Sequence, residues 1–567
     1  MPDQWKPQQW KSDGTFHLGI NMAGAVSAGA YTAGVLDFLM EALEQWYAAK
    51  GSANPVVPMH DISIDVFSGA SAGGMCAAIA SVMVQGDFEH IANPENASVT
   101  GTNNRFYESW VNKIDIEPLL QERDLANNKP VVSLLDSTII DEIADYAIMP
   151  NPPKPRSYIS DSLTLFLTLT NVRGTPYSLN GDAGGSAEED TAYYGDKLQF
   201  ETVKGNAAPT SPFARALPIG ENGDGWSLLK DAAKATGAFP LFLSPRKIAR
   251  RAQDYMHSPW EPISNINPPV VQPHWGLKPG DTIETLNVDG GVTDNDPFQL
   301  AHDFLAIHNP MATVDPQTAE LSNPSDSDKA NCAVLTVAPF PADDVFSPNY
   351  NFDENSGVLG MLPNLFTALI SQSRFLGESL TAVMTGTSFS RFVLAPSDTG
   401  RPDTEALQGG LLNAFGGFFE RGFRAHDYQL GRRNCQKFLS DHFRLAVANP
   451  IIDGGLSKLN AAGKAEVMKS FDPNNLGTLP IIPLCGTALP EVPAPARATI
   501  TSARVGHIQN WIIDRLHAVT KPLLESVIGS GFENWAARSA VDTLISTWGK
   551  GKIKAVLQKE LKGVISG

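Results

Sequence analysis

The sequence predicts an α/β protein in which helices cover both faces of a central sheet, a three-layer α/β/α sandwich. Two units of strand, small-residue turn and helix follow one another between Thr15 and Val84. Strands that alternate with helices favour a parallel or mixed sheet covered on both sides. Further strand and helix candidates alternate along the chain, at 163–170, 231–238, 283–288, 333–338 and 363–380.

The first unit begins with apolar residues at every second position from Phe16 to Met22, which is the pattern of a strand. A run of glycine and alanine follows, and apolar side chains then recur at helical spacing from Val35 to Trp46. The second unit repeats this order, with a strand at 62–67, the turn SGASAGG and an alanine-rich helix. Both turns consist of small residues, as a sharp connection from strand to helix requires.

Composition limits the classes of protein to consider. Hydrophobic residues make up 42 % of the 567 residues and charged residues 18 %, which is typical of a globular protein and excludes disorder for most of the chain. No apolar run approaches the roughly 18 residues of a membrane-spanning helix. The net charge of −18 argues against nucleic acid as a partner, because the protein and a phosphate backbone would repel each other.

The four cysteines contain no CxxC pair, so they indicate neither a disulfide framework nor a metal site, and they suit a reducing compartment. The N-terminus lacks the basic region and apolar region of a Sec-type signal peptide. We therefore expect a cytoplasmic or peripherally membrane-associated protein.

The chain divides into three predicted parts. Residues 15–450 form the α/β domain, and the part that carries the motifs is 15–300. Residues 451–499 are predicted as a linker, because the run LPEVPAPARA from Leu489 favours extended geometry. Residues 500–567 are predicted as a helical C-terminal extension. Polar, turn-rich stretches within the α/β domain, such as GDAGGSAEED from Gly181, are predicted as insertions.

The segment Gly69-Ala70-Ser71-Ala72-Gly73 matches the pattern GxSxG between a predicted strand and a predicted helix. A nucleophilic serine on such a turn has a strained backbone and needs small neighbours. The helix that follows directs its first N–H groups, beginning with Ala72, at a developing oxyanion. The alternative is a tight glycine turn that only packs the helix on the sheet.

The segment Asp289-Gly290-Gly291 places a carboxylate at the end of another predicted strand, with two glycines that allow close approach of the backbone. A serine nucleophile needs a base, and Asp289 is the candidate. Taken alone, the segment is also compatible with an ordinary Asp-Gly turn.

These segments occur in the order and spacing of a known family. GAYTAGVL from Gly29, GASAGG from Gly69, ATGAFPLFLSP from Ala235 and VDGGVTDNDP from Val288 together resemble the patatin-like phospholipases. The resemblance covers residues 15 to about 300. It implies a patatin-like three-layer α/β/α sandwich, here with long insertions and the C-terminal helical extension.

The resemblance also implies an acyl hydrolase with a serine–aspartate dyad, in which Ser71 is the nucleophile and Asp289 the base. Its substrate would be a lipid or phospholipid, and it would need no metal or organic cofactor. An aspartate with its ordinary pKa near 3.9 is a poor base for a serine hydroxyl, so the mechanism would depend on geometry and on a dry site. The residues that would support the two motifs are Gly69, Gly73, Gly290 and Gly291.

The predicted oxyanion loop departs from the family pattern. Gly24, Ala25 and Val26 stand where the family usually has a run of glycines, and Ala28 stands where a basic residue is usual. Backbone N–H groups can still face an oxyanion, since donors need no particular side chain. How the loop is anchored without the cation is open. Ser27, in AVSAG, ranks below Ser71 because it lacks the first glycine of the GxSxG pattern.

Two other functions remain open from the sequence. One is a serine esterase with a histidine-containing triad, for which His426 is the candidate because it follows both Ser71 and Asp289 in the chain. The other is a catalytically silent lipid-binding or interaction module with the same fold, which the altered oxyanion loop favours.

Two basic segments could contact lipid. The segment from Gly417 contains several arginines, which could bind a headgroup, although a helix with a charged face is the simpler interpretation. The C-terminal segment could lie on an anionic membrane, or it could pack as an amphipathic helix on the protein itself. The sequence does not indicate an oligomeric state. The lysines of the C-terminal segment are Lys550, Lys552, Lys554, Lys559 and Lys562.

Overall fold

A computed structural model describes residues 7–11, 13–96, 99–180, 188–256, 263–266, 271–317, 319–340, 388–412, 414–528 and 549–566. The helical pattern at 363–380 and most of the polar run that begins at Gly181 lie outside these residues. The prediction of an α/β protein with three layers is confirmed.

The centre of the molecule is a mixed sheet, of which nine strands lie among the described residues. Its order is β11-β10-β1-β2-β3-β4-β5, and β7 pairs with β3 and with β6. The neighbours from β11 through β3 are parallel, whereas β3 is antiparallel to both β4 and β7. The strands up to β11 are β1 Thr15–Met22, β2 Asp61–Gly69, β3 Ile159–Asn180, β4 Glu188–Val203, β5 Ala214–Pro218, β6 Arg246–Arg251, β7 Thr282–Asp289, the short outlying pair β8 Thr313–Val314 and β9 Leu321–Ser322, β10 Cys332–Val337 and β11 Arg391–Leu394.

Helices cover both faces of this sheet. On one face, α1, α2 and α6 pack over the main hydrophobic core, and α9 packs against α1. On the other face, α7 packs against a smaller cluster that includes Val66, Phe166 and Val334. The helices are α1 Gly29–Lys50, α2 Ser71–Met83, α3 Arg105–Tyr107, α4 Ile116–Leu119, α5 Thr138–Ala147, α6 Asp224–Thr236, α7 Phe298–His308, α8 Gly416–Phe419, α9 Arg421–Asp441, α10 Pro450–Ser457, α11 Ala461–Phe471, α12 Ser502–Ile528 and α13 Lys550–Glu560.

The arginines of α9 form buried ion pairs. The Arg432 guanidinium donates to the carboxylates of Asp37 and Glu41 on α1, and the exposed fraction of Arg432 is only 3 %. Arg424 is also buried and donates to the backbone carbonyl of Val111. These two side chains stabilise the packing of α9, so they are not part of an exposed headgroup-binding surface.

Residues 451–499 contain more regular structure than a linker. They include most of α10, all of α11 and the strand β13 Thr478–Pro480, which pairs with β12 Arg444–Ala446. Ile481 and Ile482 are fully buried in the main core. The longest stretch without helix or strand is the last one, 489–499. The side chain of Asn449 caps α10 by accepting from the amide of Ile451. This signal for the start of a helix lies just before the predicted linker. The division into domains remains a prediction.

The C-terminal extension folds back on the α/β domain. In α13, Leu557 and Leu561 are buried against Ile508 of α12 and Phe423 of α9. A short parallel pair, β14 Ile500–Thr501 with β15 Ile565–Ser566, closes this unit. Most of the apolar side of α13 is thus covered by protein, although 50 % of Val556 is exposed. All five lysines of this segment are exposed. None of the helices among the described residues is both long and apolar enough to cross a membrane.

Candidate active site

Ser71 lies at the sharp turn between β2 and α2, where it is the first residue of the helix. Its φ is +52°, a left-handed conformation that a residue with a side chain adopts at a cost in free energy. The amide of Ser71 donates to the Thr236 hydroxyl at 2.9 Å, and this bond holds the turn in place. The strand, the strained serine and the helix together form the turn that the GxSxG pattern predicts.

Asp289 ends β7, and its carboxylate meets the Ser71 hydroxyl. The Ser71 Oγ donates to Oδ2 of Asp289 at 2.7 Å, and the amide of Gly291 donates to Oδ1 at 2.7 Å. The backbone of Asp289 is fixed as well, because its carbonyl accepts from the Thr170 hydroxyl at 2.8 Å. One carboxylate oxygen is therefore held by the protein while the other faces the serine.

Burial raises the pKa of Asp289 from 3.8 to about 7, although the hydrogen bonds from Ser71 and from the amide of Gly291 act in the opposite direction. Only 3 % of Asp289 is exposed, and no cation is among the groups that set its pKa. A carboxylate with a pKa near 7 accepts a proton far better than one with a pKa of 3.8. The weak base expected from the sequence is thus strengthened by its surroundings.

The four glycines predicted to support the motifs all lie where a side chain would collide. An added Cβ at Gly73 would lie 2.1 Å from the carbonyl oxygen of Met22, and one at Gly290 would lie 2.2 Å from that of Thr168. At Gly69 and Gly291 the nearest atoms would be 2.8 and 2.4 Å away. Real Cβ atoms do not approach this closely, so glycine allows the two turns to meet.

The predicted oxyanion loop runs beside Ser71. An added Cβ at Gly24 would lie 3.1 Å from the Cβ of Ser71, and Val26 lines the same cavity as the dyad. Among the described residues, the amides of Ala25, Val26 and Ala72 have no hydrogen-bond acceptor. The sequence assigns four residues to the oxyanion hole, Gly24, Ala25, Val26 and Ala72, but the amide of Gly24 donates to the carbonyl of Asn295 at 3.0 Å. The other three amides remain as candidate donors.

Ala28, which stands where the family usually has a cation, is fully buried in the main core. Instead, the adjacent Ser27 makes the contacts that hold this loop. Its hydroxyl and its amide both donate to the carbonyl of Ala414. The sequence analysis treated Ser27 only as a second serine, since nothing in the local pattern indicates a partner almost 400 residues away.

A cavity of about 100 Å³ opens over the dyad, and its lining is almost entirely apolar. Side chains of α2, α5 and α6 form much of its wall. Among the described lining residues, only Asp289 and Lys234 carry a charge. Four phenylalanines in edge or tilted contact with one another complete the wall: Phe239, Phe242, Phe415 and Phe418.

His426 is not part of this arrangement. Its Nδ1 lies 2.9 Å from Oδ1 of the neighbouring Asp427 on α9, and the residue is fully buried. No histidine hydrogen-bonds to Ser71 or Asp289, or lines the cavity, in the part of the chain that the structure describes. The geometry therefore favours the dyad over a triad that contains His426.

Two residues of the site were not predicted from the sequence. Thr236, which accepts from the amide of Ser71, lies in the ATGAFP segment that was matched only as a pattern. Asn295, whose carbonyl accepts from the amide of Gly24, lies in the DNDP run after Asp289. In both cases the motif was visible in the sequence, but the role of these members was not.

Comparisons with known proteins assign the chain to a family. The family model of patatin-like phospholipases matches residues 21–302. An uncharacterized protein of Sinorhizobium fredii, y4iI, is 34 % identical over 558 residues, which covers 90 % of this chain and 76 % of that protein. The structure of VipD from Legionella pneumophila aligns with 100 % of this chain and 97 % of its own at 10 % identity, but its TM-score of 0.20 is too low to carry an argument. The chain belongs to the patatin-like phospholipase family, whose members are lipid hydrolases.

Proposed function

We propose that this protein hydrolyses carboxylic ester bonds of lipids, as a phospholipase A or a broader lipid esterase, through a dyad of Ser71 and Asp289. One observation carries the proposal: the Ser71 hydroxyl donates to the Asp289 carboxylate at 2.7 Å beside an apolar cavity. The cavity suits an acyl chain, because burial of methylene groups there removes them from water.

In the proposed reaction, Ser71 Oγ attacks the acyl carbonyl carbon while Asp289 takes the hydroxyl proton. The amides of Ala25, Val26 and Ala72 stabilise the negative oxygen of the tetrahedral intermediate. When the intermediate collapses, the C–O bond to the alcohol breaks and the proton on Asp289 passes to that alcohol. A water molecule, deprotonated by Asp289, then attacks the carbonyl carbon of the acyl-enzyme. Collapse of this second intermediate breaks the C–O bond to Ser71, whose Oγ takes the proton back from Asp289, and the fatty acid is released.

Burial supports both parts of this mechanism. It raises the pKa of Asp289 to about 7, so that the carboxylate is ionised above neutral pH and still basic enough to accept the proton. It also excludes water from the carbonyl, where hydrogen bonds from the backbone are then stronger.

The experiment compares wild type with Ser71→Ala and Asp289→Asn on a short p-nitrophenyl ester and on mixed phospholipid vesicles. Loss of a dyad member should lower kcat by about 10⁴-fold or more, with the fold retained. Ser211→Ala is the matched control, because Ser211 is also buried and hydrogen-bonded but lies on the far edge of the sheet beside β5.

Wild-type turnover by Ser71→Ala would overturn the proposal. A folded wild type that binds vesicles, yet shows no turnover and no labelling of Ser71 by a fluorophosphonate, would instead indicate a silent lipid-binding module. The products released from the vesicles identify the substrate class if the dyad is active.

A further inference from the structure

The oxyanion loop of this protein is anchored by a segment that lies outside the residues matched by the family model. Residues 408–412 and 414–418 pass over the loop and contribute Phe415 and Phe418 to the acyl cavity. The family match ends at residue 302, about 100 residues before this segment.

We propose that Ser27 is a positioning residue for catalysis, whose hydroxyl ties the oxyanion loop to this segment in place of the missing cation. The inference rests on the proposed ester hydrolysis. Ser27 does not touch the reacting atoms; it acts through the adjacent Val26, which lines the cavity and whose amide has no hydrogen-bond acceptor among the described residues.

The hydroxyl of Ser27 acts both as donor and as acceptor, and it also lies 3.4 Å from the carbonyl oxygen of Gly409. It donates to the carbonyl of Ala414, and it accepts from the amide of Gly417 at 3.1 Å. The amide of Ser27 adds a third bond, to the same Ala414 carbonyl at 3.2 Å. Only 1 % of Ser27 is exposed, so water cannot replace these bonds if the side chain is lost.

The loop needs such support because its backbone is strained. Val26 has a φ of +47°, in a region that β-branched residues rarely occupy. The partner segment is strained as well, since Leu412 and Ala414 have φ values of +55° and +71°. Two segments in unfavourable conformations are thus held by hydrogen bonds to each other, and Ser27 supplies most of those bonds.

The partner segment is itself fixed by α9. The Asp427 carboxylate accepts from the amides of Gln408 and Gly409, at 2.8 and 2.7 Å. Three residues earlier on the same helix, the Arg424 guanidinium donates to the carbonyl of Gly417 at 2.8 Å. Both side chains are buried. They hold the two ends of the segment on α9, and Ser27 bonds to the segment between them at Ala414.

Contact between the loop and the segment is close enough to exclude a side chain. An added Cβ at Gly417 would lie 2.5 Å from the Oγ of Ser27 and 2.9 Å from its Cβ. Gly417→Ala therefore displaces the hydroxyl without removing it, and it provides a second, independent disturbance of the same contact.

The test measures Ser27→Ala and Gly417→Ala with Ser211→Ala as the matched buried-serine control. A fluorophosphonate first titrates the fraction of molecules with a reactive Ser71. Then kcat and KM for a short p-nitrophenyl ester are expressed per titrated site. We expect kcat per titrated site to fall about tenfold to a hundredfold in both variants, because one oxyanion donor is misplaced, with KM changed less than about twofold.

A purely structural role for Ser27 would give another result. The titrated fraction and Tm would then fall, but kcat per titrated site would stay within twofold of wild type, and this outcome overturns the inference. If Ser27→Ala does not fold, Gly417→Ala decides by the same criterion. A wild type that shows neither turnover nor labelling would overturn the proposed function itself. This outcome is distinct because it is observed on the wild type alone, without the variants.

Discussion

The two sides of the candidate active site differ in how their residues are connected along the chain. On the nucleophile side, Ser71 and Asp289 each follow or end a strand, and the groups that support them all lie in the region that matches the family. These groups are the nearby Gly73 and Gly291, together with Thr236 and Thr170. On the oxyanion side, the support of the loop comes from Ala414 and Gly417, almost 400 residues away.

This difference shows that local motifs and remote supports carry separate parts of one function. The strand–turn–helix motif determines where the nucleophile lies, so its chemistry depends on small residues close in sequence. The C-terminal part contributes Phe415 and Phe418 to the cavity wall and holds the oxyanion loop through Ala414 and Gly417. Changes on the nucleophile side should abolish the reaction. Changes in the C-terminal part should alter the efficiency of the reaction and its substrate range.

After loss of a dyad member, the largest effect is expected for Gly73→Ala, on the nucleophile side. The added Cβ would lie 2.1 Å from the carbonyl oxygen of Met22 and 2.5 Å from that of Ala23, and two backbone atoms cannot both move away. The turn that presents Ser71 must therefore shift, and we expect kcat/KM for a short ester to fall at least about 1,000-fold.

Gly454→Ala in α10 is the control for this change, because an added Cβ there has no atom within 4 Å. We expect it to leave activity within twofold and stability unchanged or slightly higher, as an alanine in a helix does. Activity of Gly73→Ala within tenfold of wild type would contradict the importance assigned to the local turn.

The pH profile tests Asp289 in the same region. Its pKa of about 7 means that the carboxyl is protonated at lower pH and cannot accept the serine proton. We expect kcat/KM to rise about tenfold per pH unit below pH 7, so that activity at pH 5 is about a hundredfold below the plateau.

Asp294 is a second carboxyl group that would give the same pH dependence, since burial and the nearby Asp296 raise its pKa to about 7 as well. The Asp294→Asn variant should retain the rise with pH if Asp289 causes it. A flat profile between pH 5 and pH 8, measured with an uncharged ester, would contradict the assignment of Asp289 as the base.

The features that could be predicted from the sequence are those that depend on residues close to one another in the chain. The layers of the fold, the sharp turn at Ser71 and the strand end at Asp289 follow from periodicity and short motifs. The pKa of Asp289 could not be predicted, because it arises from burial under distant elements. The anchoring through Ser27 was missed for the same reason: a hydrogen bond across almost the whole chain has no local pattern. Helix α10 was missed because the cap at Asn449 was overlooked.

The contribution of the C-terminal part to the cavity wall can be tested through Arg515 of α12. Its buried guanidinium pairs with Asp124 and donates to the carbonyl of Leu134, in the segment whose next residue, Leu135, lines the acyl cavity. Arg515→Met leaves these groups without partners and should loosen that wall. We expect KM for a long-chain ester to rise about fivefold to tenfold, while kcat for a short ester stays within twofold.

Arg401→Met is the control for Arg515→Met, because Arg401 is exposed and its guanidinium contacts only Asp398 among the described residues, at 3.5 Å. Its KM for the long-chain ester should equal that of wild type. If Arg515→Met lowers kcat for short and long esters equally, with KM unchanged, the C-terminal extension acts on the chemistry rather than on the cavity wall, and the two sides of the site are less separate than proposed.

The smallest effect is expected at the basic helix α13, on the outer surface of the same extension. Because Leu557 and Leu561 are buried in the protein, any contact of α13 with a membrane must depend on its exposed lysines rather than on an inserted apolar face. Each such lysine is worth about 1 kcal/mol near an anionic surface, so Lys554→Gln should weaken binding to vesicles rich in anionic lipid about fivefold at low salt. Lys469→Gln on α11, which is also exposed, should bind like wild type. Equal binding of wild type and both variants would mean that α13 only completes the fold, and that lipid reaches the acyl cavity without help from this surface.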